Sequence, residues 1–217
     1  MIISPGRKFI FVHIPKTGGT ALSLALEDRA MADDILIGDT PKAVKRRGRV
    51  KKLKSDRRLW KHSTLSDIET LPEIGNIDDY FIVTLIRNPW DRIVSYFHWL
   101  REQKFEHRAV DLARQNDFSG FLNHPENAQM LLAESYGKYI EKRSGIEAKT
   151  IFIDLKKLKN DMVIFEDHLG FSLSLPFENQ SNRDADWRVY YSDADAALVG
   201  KYYAEDITRF GYKFDPE

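Results

Sequence analysis

The chain has 217 residues, enough for one ordinary domain, and its 42% hydrophobic and 12% aromatic content can fill a core, which excludes wholesale disorder. It has no cysteine, so disulfides, thiolate metal sites and cysteine nucleophiles are excluded together. Thirty-three basic residues balance thirty-three acidic ones, no apolar run suits a membrane span, and residues 1–7 lack the pattern of a secretory signal, so the expectation is a soluble, cytoplasmic protein with no membrane or nucleic-acid partner.

Phe9–Ile14 is rich in aromatic and β-branched residues, follows the breaker pair Pro5-Gly6 and stops at Pro15, the pattern of a buried strand. After Pro15-Lys16-Thr17-Gly18-Gly19, the spacing of Leu22, Leu26 and Ala30 predicts a helix over Thr20–Met31. Strand, glycine turn and helix make half of a βαβ unit. From Lys42 to Lys61, eleven of twenty residues are Lys or Arg and Asp56 is the only acid, so the rest of the chain is acidic by ten charges. That stretch has no apolar period and reads as a basic loop, lid or mobile helix at about 38–61.

Ser66-Asp67-Ile68-Glu69 has the form of a capping box and predicts a short helix ending near Gly75. Tyr80–Ile86 is a second buried strand, after which Asn88 and Pro89 supply an N-cap and a first-turn proline to a helix reaching about Lys104. More helix is expected between His107 and Glu134, interrupted near Gly120 and Pro125. A third strand follows over Lys149–Leu155, then a short helix over Met162–Leu169. The polar stretch Pro176–Tyr191 precedes one last helix from Ser192 to Gly211. With no repeat and no linker, residues 1–217 read as a single α/β domain.

The glycine turn carries chemistry. Gly18 and Gly19 let backbone N–H groups face an oxyanion, the helix start adds partial positive charge, Lys16 adds a full one, and Thr17 and Thr20 add hydroxyls. A tight turn that merely needs glycine is the plainer alternative. A nucleotide triphosphatase loop needs lysine after its last glycine, then Ser or Thr; here Lys16 precedes both glycines, and Gly200-Lys201 is followed by Tyr202. The second anion candidate is Arg87, at a strand end, with Ser95 eight positions later on the next helix. Arg87 can grip a phosphate bidentately; its plainer role is an ion pair with Asp91, and Arg92 suits a structural salt bridge.

Pro15-Lys16-Thr17-Gly18-Gly19-Thr20 after a strand resembles the 5′-phosphosulfate loop of sulfotransferases that use 3′-phosphoadenosine 5′-phosphosulfate (PAPS), and the Arg87–Ser95 pair resembles their 3′-phosphate element. The resemblance implies a P-loop-like, three-layer α/β domain with a central, mainly parallel sheet flanked by helices. It also implies PAPS as sulfuryl donor without a metal. Of the six histidines, His62 precedes the strand leading to Arg87, where heparan sulfate 2-O-sulfotransferases and bacterial relatives carry their base; the resemblance assigns that role to His62, a satisfied structural histidine being the alternative, with Lys16 beside the leaving group. It further makes Ser181 and Arg183 candidate cofactor contacts, an ordinary solvated loop being the alternative. Relatives commonly have glutamate after the third strand, where this chain has Asp154.

The expected reaction is sulfuryl transfer to a hydroxyl of a carbohydrate or small metabolite. An acidic sugar is a candidate acceptor, given the charge between Lys42 and Lys61, a solvated mobile lid being the alternative for that stretch, and Trp60, Trp90, Trp99 and Trp187 are candidate stacking platforms or core residues. A nucleotide kinase of related fold and a non-catalytic anion- or nucleic-acid-binding module are the alternatives.

Overall fold

A computed structural model describes residues 1–127, 135–176 and 183–215. They form two compact units, Met1–Ile86 with Tyr136–Glu178, and Arg87–Ser135 with Asn179–Glu217. The helices used below are α1 (Gly19–Asp28), α2 (Pro41–Val50), α3 (Leu65–Ile68), α4 (Pro89–Glu102), α5 (Arg108–Gln115) and α6 (Phe118–Leu122). They continue with α7 (Tyr136–Ile140), α8 (Leu158–Asp161), α9 (Val163–Leu169), α10 (Asp193–Tyr202) and α11 (Ala204–Phe210).

The first unit is built on five strands, β1 (Ile2–Ser4), β2 (Phe9–Val12), β3 (Ile35–Leu36), β4 (Phe81–Ile86) and β5 (Thr150–Asp154), in the order β3-β1-β2-β4-β5. Its working part is parallel: β2 pairs with β4, Val12 opposite Thr84, and β4 with β5, Ile86 opposite Asp154. β1 runs antiparallel to both β2 and β3. The sheet is therefore mixed, a parallel core with an antiparallel edge. Phe9, Phe11, Val83, Leu85 and Ile153 pack with Leu22 and Leu26 of α1 and with Phe165 and Leu169 of α9. The alternating residues Ile10, Val12, Ile82, Thr84 and Ile86 are buried as well, so both faces are covered, as continuous apolar strands require.

In this unit the sequence expectation contains neither β1 nor β3 and misplaces one helix cap. The expected cap at Ser66 lies two residues too late: α3 starts after Thr64, whose N–H donates to Asp67 Oδ2 at 2.8 Å, and the helix is one turn long. The basic stretch opens as α2, with Thr40 as N-cap accepting from Ala43 N and Pro41 in the first turn. This helix has no apolar stripe to reveal it. Instead Lys42, Arg46 and Arg49, on one face, donate to the carbonyls of Glu27, Met31 and Ala32 at and beyond the end of α1.

In the second unit, Phe97 of α4, Val110 of α5, Phe121 of α6 and Val199 of α10 meet in one core. The single helix expected over Ser192–Gly211 is two, because Tyr203 leaves helical geometry (φ −111°, ψ 25°). Its ends were legible: Ser192 caps α10 reciprocally with Asp195, and Gly211 closes α11 at φ 65°.

Candidate active site

The turn after β2 has the geometry of an anion cradle. Lys16 and Gly18 take positive φ values of 63° and 89°, and Thr17 between them does not. Alternation of that kind turns successive N–H groups toward one side. Lysine in the left-handed region costs roughly 1–2 kcal/mol, so neighbours must hold it. Thr17 does so from a fully buried position, its Oγ1 donating to the Ile14 carbonyl at 2.9 Å. The hydroxyl expected to face a ligand is thus used inside the turn, and Thr17 offers a ligand its backbone N–H.

The two glycines answer to different constraints. Gly18 needs its left-handed φ, and a Cβ there would also lie 2.8 Å from Leu155 Cδ1. It is the N-cap of α1 and brings no side-chain cap to the helix start, which suits a turn whose N–H groups are meant for a ligand. Gly19 makes room: a Cβ would sit 2.3 Å from Cδ2 of His13.

His13 joins this turn to the candidate base. Its ring is 6% exposed and lies edge-on to the His62 ring at 4.7 Å. His62 Nδ1 donates to the His13 carbonyl at 2.7 Å. A carbonyl only accepts, so the bond assigns the proton to Nδ1 and leaves the Nε2 lone pair available. Burial lowers the His62 pKa to about 3, and Lys61 and the amino terminus push the same way. His13 is also held well below the ordinary histidine range, again chiefly by burial. Both rings are neutral near pH 7. The Trp60 ring is also edge-on to His62, at 5.0 Å.

Behind His13 lies a cavity of about 10 Å³, lined by Thr20, Ser23, Glu27, Thr40 and Lys61 among others, room for a single water. Thr40 Oγ1 donates to Glu27 Oε1 at 2.5 Å, and burial raises the Glu27 pKa. Thr20 therefore lines this cavity, a setting that the sequence does not suggest.

In the second unit Arg87 begins the α4 segment. Asn88 caps that helix by accepting from Trp90 N at 3.0 Å and donates to the Lys213 carbonyl at 3.1 Å. The Trp90 indole N–H donates to Ala196 O, and Tyr191 OH donates to Trp90 O. Arg87 Nε donates to Asp91 Oδ2 at 2.7 Å, the ion pair set out as its plainer role. The other Asp91 oxygen accepts from Arg183 Nη2 at 2.5 Å. One carboxylate thus holds both Arg87 and Arg183. Ser95, 5% exposed, stands one turn further along the same helix face. Ser181 lies outside the described residues.

Residues 1–144 match a family model described as the sulfotransferase family. The chain belongs to that family. The match takes in Lys16, His62, Arg87 and Ser95. A mouse sulfotransferase, SULT7A1, complexed with PAP, is similar in fold: TM-score 0.52, 16% identity, 93% of this chain and 84% of that one covered. No curated protein matches the sequence.

The remaining residues weighed for this sulfotransferase have local duties. His107 caps α5 by accepting from Ala109 N, His124 Nδ1 accepts from Glu126 N, His168 Nε2 pairs with Arg7 O, and His98 packs edge-on to Tyr190. Asp154 accepts from Lys156 N and caps the turn after β5. Arg92 is buried at 2%. Trp90 is core, and Trp99 and Trp187 pack against it, whereas Trp60 is 53% exposed. Among the described residues no three potential metal ligands converge. Two contributors are only partly legible in the sequence, which casts Asp91 as a competitor for Arg87 and His13 as a packing or hydrogen-bonding residue of the strand beside the turn. The clue to Asp91 is its i+4 spacing from Arg87, while nothing local points from His13 to His62.

Proposed function

We propose that this sulfotransferase moves the sulfuryl group of PAPS to a hydroxyl of a carbohydrate or small-metabolite acceptor, with His62 as general base. PAPS supplies an activated sulfuryl group whose leaving group is a phosphate. The observation that carries the reading is the bond from His62 Nδ1 to the carbonyl of His13, three residues before Lys16, which ties a neutral base with a defined tautomer to the strand entering an anion-facing turn.

The roles follow from charge. Lys16 and the N–H groups of residues 16–20 meet the negative charge that grows on the leaving oxygen, from positions fixed before reaction. Arg87, oriented by Asp91, and Ser95 take the 3′-phosphate, with Arg183 joining Arg87 through the shared carboxylate. His62 Nε2 accepts the acceptor's hydroxyl proton. A pKa of about 3 makes it a weak base alone, but anionic charge in the turn favours the protonated ring and raises that value toward the working range. The order of Lys16 and the glycines disfavours the kinase alternative. A cytoplasmic setting belongs to the proposal; among the described residues no helix is long and apolar enough to cross a membrane.

The test combines PAP-induced thermal stabilisation with transfer of radiolabelled sulfate from PAPS to a panel of sugars. PAP should raise the melting temperature of the parent chain, and Lys16→Ala or Arg87→Ala should remove the shift. His62→Gln should keep the shift and lose transfer. A flat thermal response of the parent chain to PAP would reject the assignment.

A further inference from the structure

The eleven cations between Lys42 and Lys61 do not share one duty. Lys42, Arg46 and Arg49 bond to carbonyls around the end of α1. Arg57 pairs with Asp67 at 3.0 Å and Lys61 with Asp39 at 2.6 Å. The other six, Lys45, Arg47, Lys51, Lys52, Lys54 and Arg58, are all exposed, and among the described residues none has a hydrogen-bonding or ionic side-chain partner. Folding therefore accounts for five of these charges and leaves six facing water.

Like charges collected on one short segment repel one another, and for these six no ion pair among the described residues offsets that cost. Lys45 and Arg47 are exposed positions of α2, and Lys51 is its exposed C-cap. The chain then continues through Lys52, Lys54 and Arg58 to Trp60 and His62. At about 3.3–3.6 Å per residue, Arg58 lies within about 14 Å of His62 and Lys54 within about 28 Å. At the reacting end Trp60 presents 53% of its surface beside the His62 ring. An exposed indole face beside a base offers flat apolar area to the C–H face of a sugar ring, and the polar tip stays wet.

We propose that this surface is the acceptor-recruiting element: it binds an acidic oligosaccharide, several anionic sugars long, along Lys45, Arg47, Lys51, Lys52, Lys54 and Arg58, and seats the reacting sugar on Trp60. The inference rests on the sulfotransferase reading and narrows its acceptor from any hydroxyl compound to an extended polyanionic glycan. Spaced charges suit spaced carboxylates or sulfates, whereas a small metabolite would engage one or two of the six. The surface acts by attraction and orientation, so its loss should appear in KM.

The test uses the full chain, with oligogalacturonates of increasing length as acidic probes, maltohexaose as the neutral probe and single-stranded DNA as the competing polyanion. Binding and sulfate transfer are measured between 50 mM and 1 M salt. Affinity should rise with oligogalacturonate length and fall with salt, because screening shortens to about 3 Å at 1 M. In the Lys51→Glu/Lys52→Glu/Lys54→Glu variant, KM for the acidic probe should rise about tenfold at low salt with kcat unchanged, three lost surface attractions of roughly 0.5 kcal/mol each. Trp60→Ala should weaken binding at every salt concentration. PAP stabilisation should be unaffected in both variants, which also shows that they fold. Equal affinity for acidic and neutral probes, or unchanged acidic binding in the triple variant, overturns the inference. So does tighter binding of single-stranded DNA through the same residues. If PAP fails to stabilise any form while oligogalacturonate binding still depends on the six cations, the surface stands and the donor assignment is what fails.

Discussion

Replacing Gly19 by alanine would place a methyl carbon 2.3 Å from Cδ2 and 2.5 Å from Nε2 of His13, where carbon atoms in contact sit about 3.5–4.0 Å apart. The ring would have to retreat by more than about 1 Å. It has little room, being 6% exposed, stacked on Phe11 at 5.7 Å and edge-on to His62 at 4.7 Å. Overpacking of this kind costs about 1–3 kcal/mol, and for a chain of this size each kcal/mol lowers the melting temperature by roughly 2–4 °C. In a His13→Ala background the obstacle is gone, and Gly19→Ala should become neutral or slightly stabilising, since alanine suits a helix better than glycine. The four proteins of the cycle, compared by urea unfolding, should show a coupling of about 1–3 kcal/mol. PAP stabilisation should weaken in Gly19→Ala, because the displaced ring carries the backbone of the anion turn with it. Strict additivity in the cycle would mean that His13 does not stand behind Gly19, and the proposed link between turn and base would fall.

Gly18→Ala should lower stability by about 1–2 kcal/mol through its left-handed dihedral, with a further loss from the 2.8 Å approach to Leu155 Cδ1. Gly75→Ala, at φ 68° with nothing within 4 Å, isolates the dihedral part; if both cost the same, Leu155 is not a constraint. Because the His62 pKa is held near 3 in the fold against an ordinary histidine value of 6.5, the unfolded chain binds more protons below about pH 6.5, and stability should decline progressively from there toward pH 3. Urea midpoints across that range should fall less steeply for His62→Gln, and parallel curves would refute the burial argument. Asp195 is 3% exposed; burial pushes its pKa up, but hydrogen bonds from Ser192, Asn123 and Ser119 outweigh this and the net shift is downward. Asp195→Ala should therefore cost about 2–3 kcal/mol at neutral pH, and the deficit should shrink as pH falls below the ordinary carboxylate range. A deficit independent of pH would show that the lost packing, not the charge, is responsible.

The chain order of strand, anion turn and helix, the Arg87–Ser95 spacing and the position of His62 were all readable without coordinates, because each is written in residues a few places apart. Backbone dihedrals, helix caps and i,i+4 faces are short-range properties, so Pro15–Thr20 and Asn88–Pro89 announce themselves. Where the sequence reading missed or misplaced an element, the signal was weak or long-range. Strands of three and two residues are too short for a period, and α2 is held by lysine and arginine side chains reaching the carbonyls of another helix. The split at Tyr203 left no breaker residue to read.

The sequence by itself determined what kinds of groups are present and in what order: two candidate anion-binding segments, a histidine ahead of the second, and a concentrated block of positive charge. Tertiary structure decided their use. Only packing could set the His13 ring against Gly19 and bring its carbonyl within 2.7 Å of His62 Nδ1, residues forty-nine positions apart. Packing likewise gave Asp91 a second arginine ninety-two positions away and sorted eleven cations into those that hold the fold and those that face solvent. Charge and local geometry are properties of residues, but tautomer, burial and pairing depend on what the folded chain places beside them.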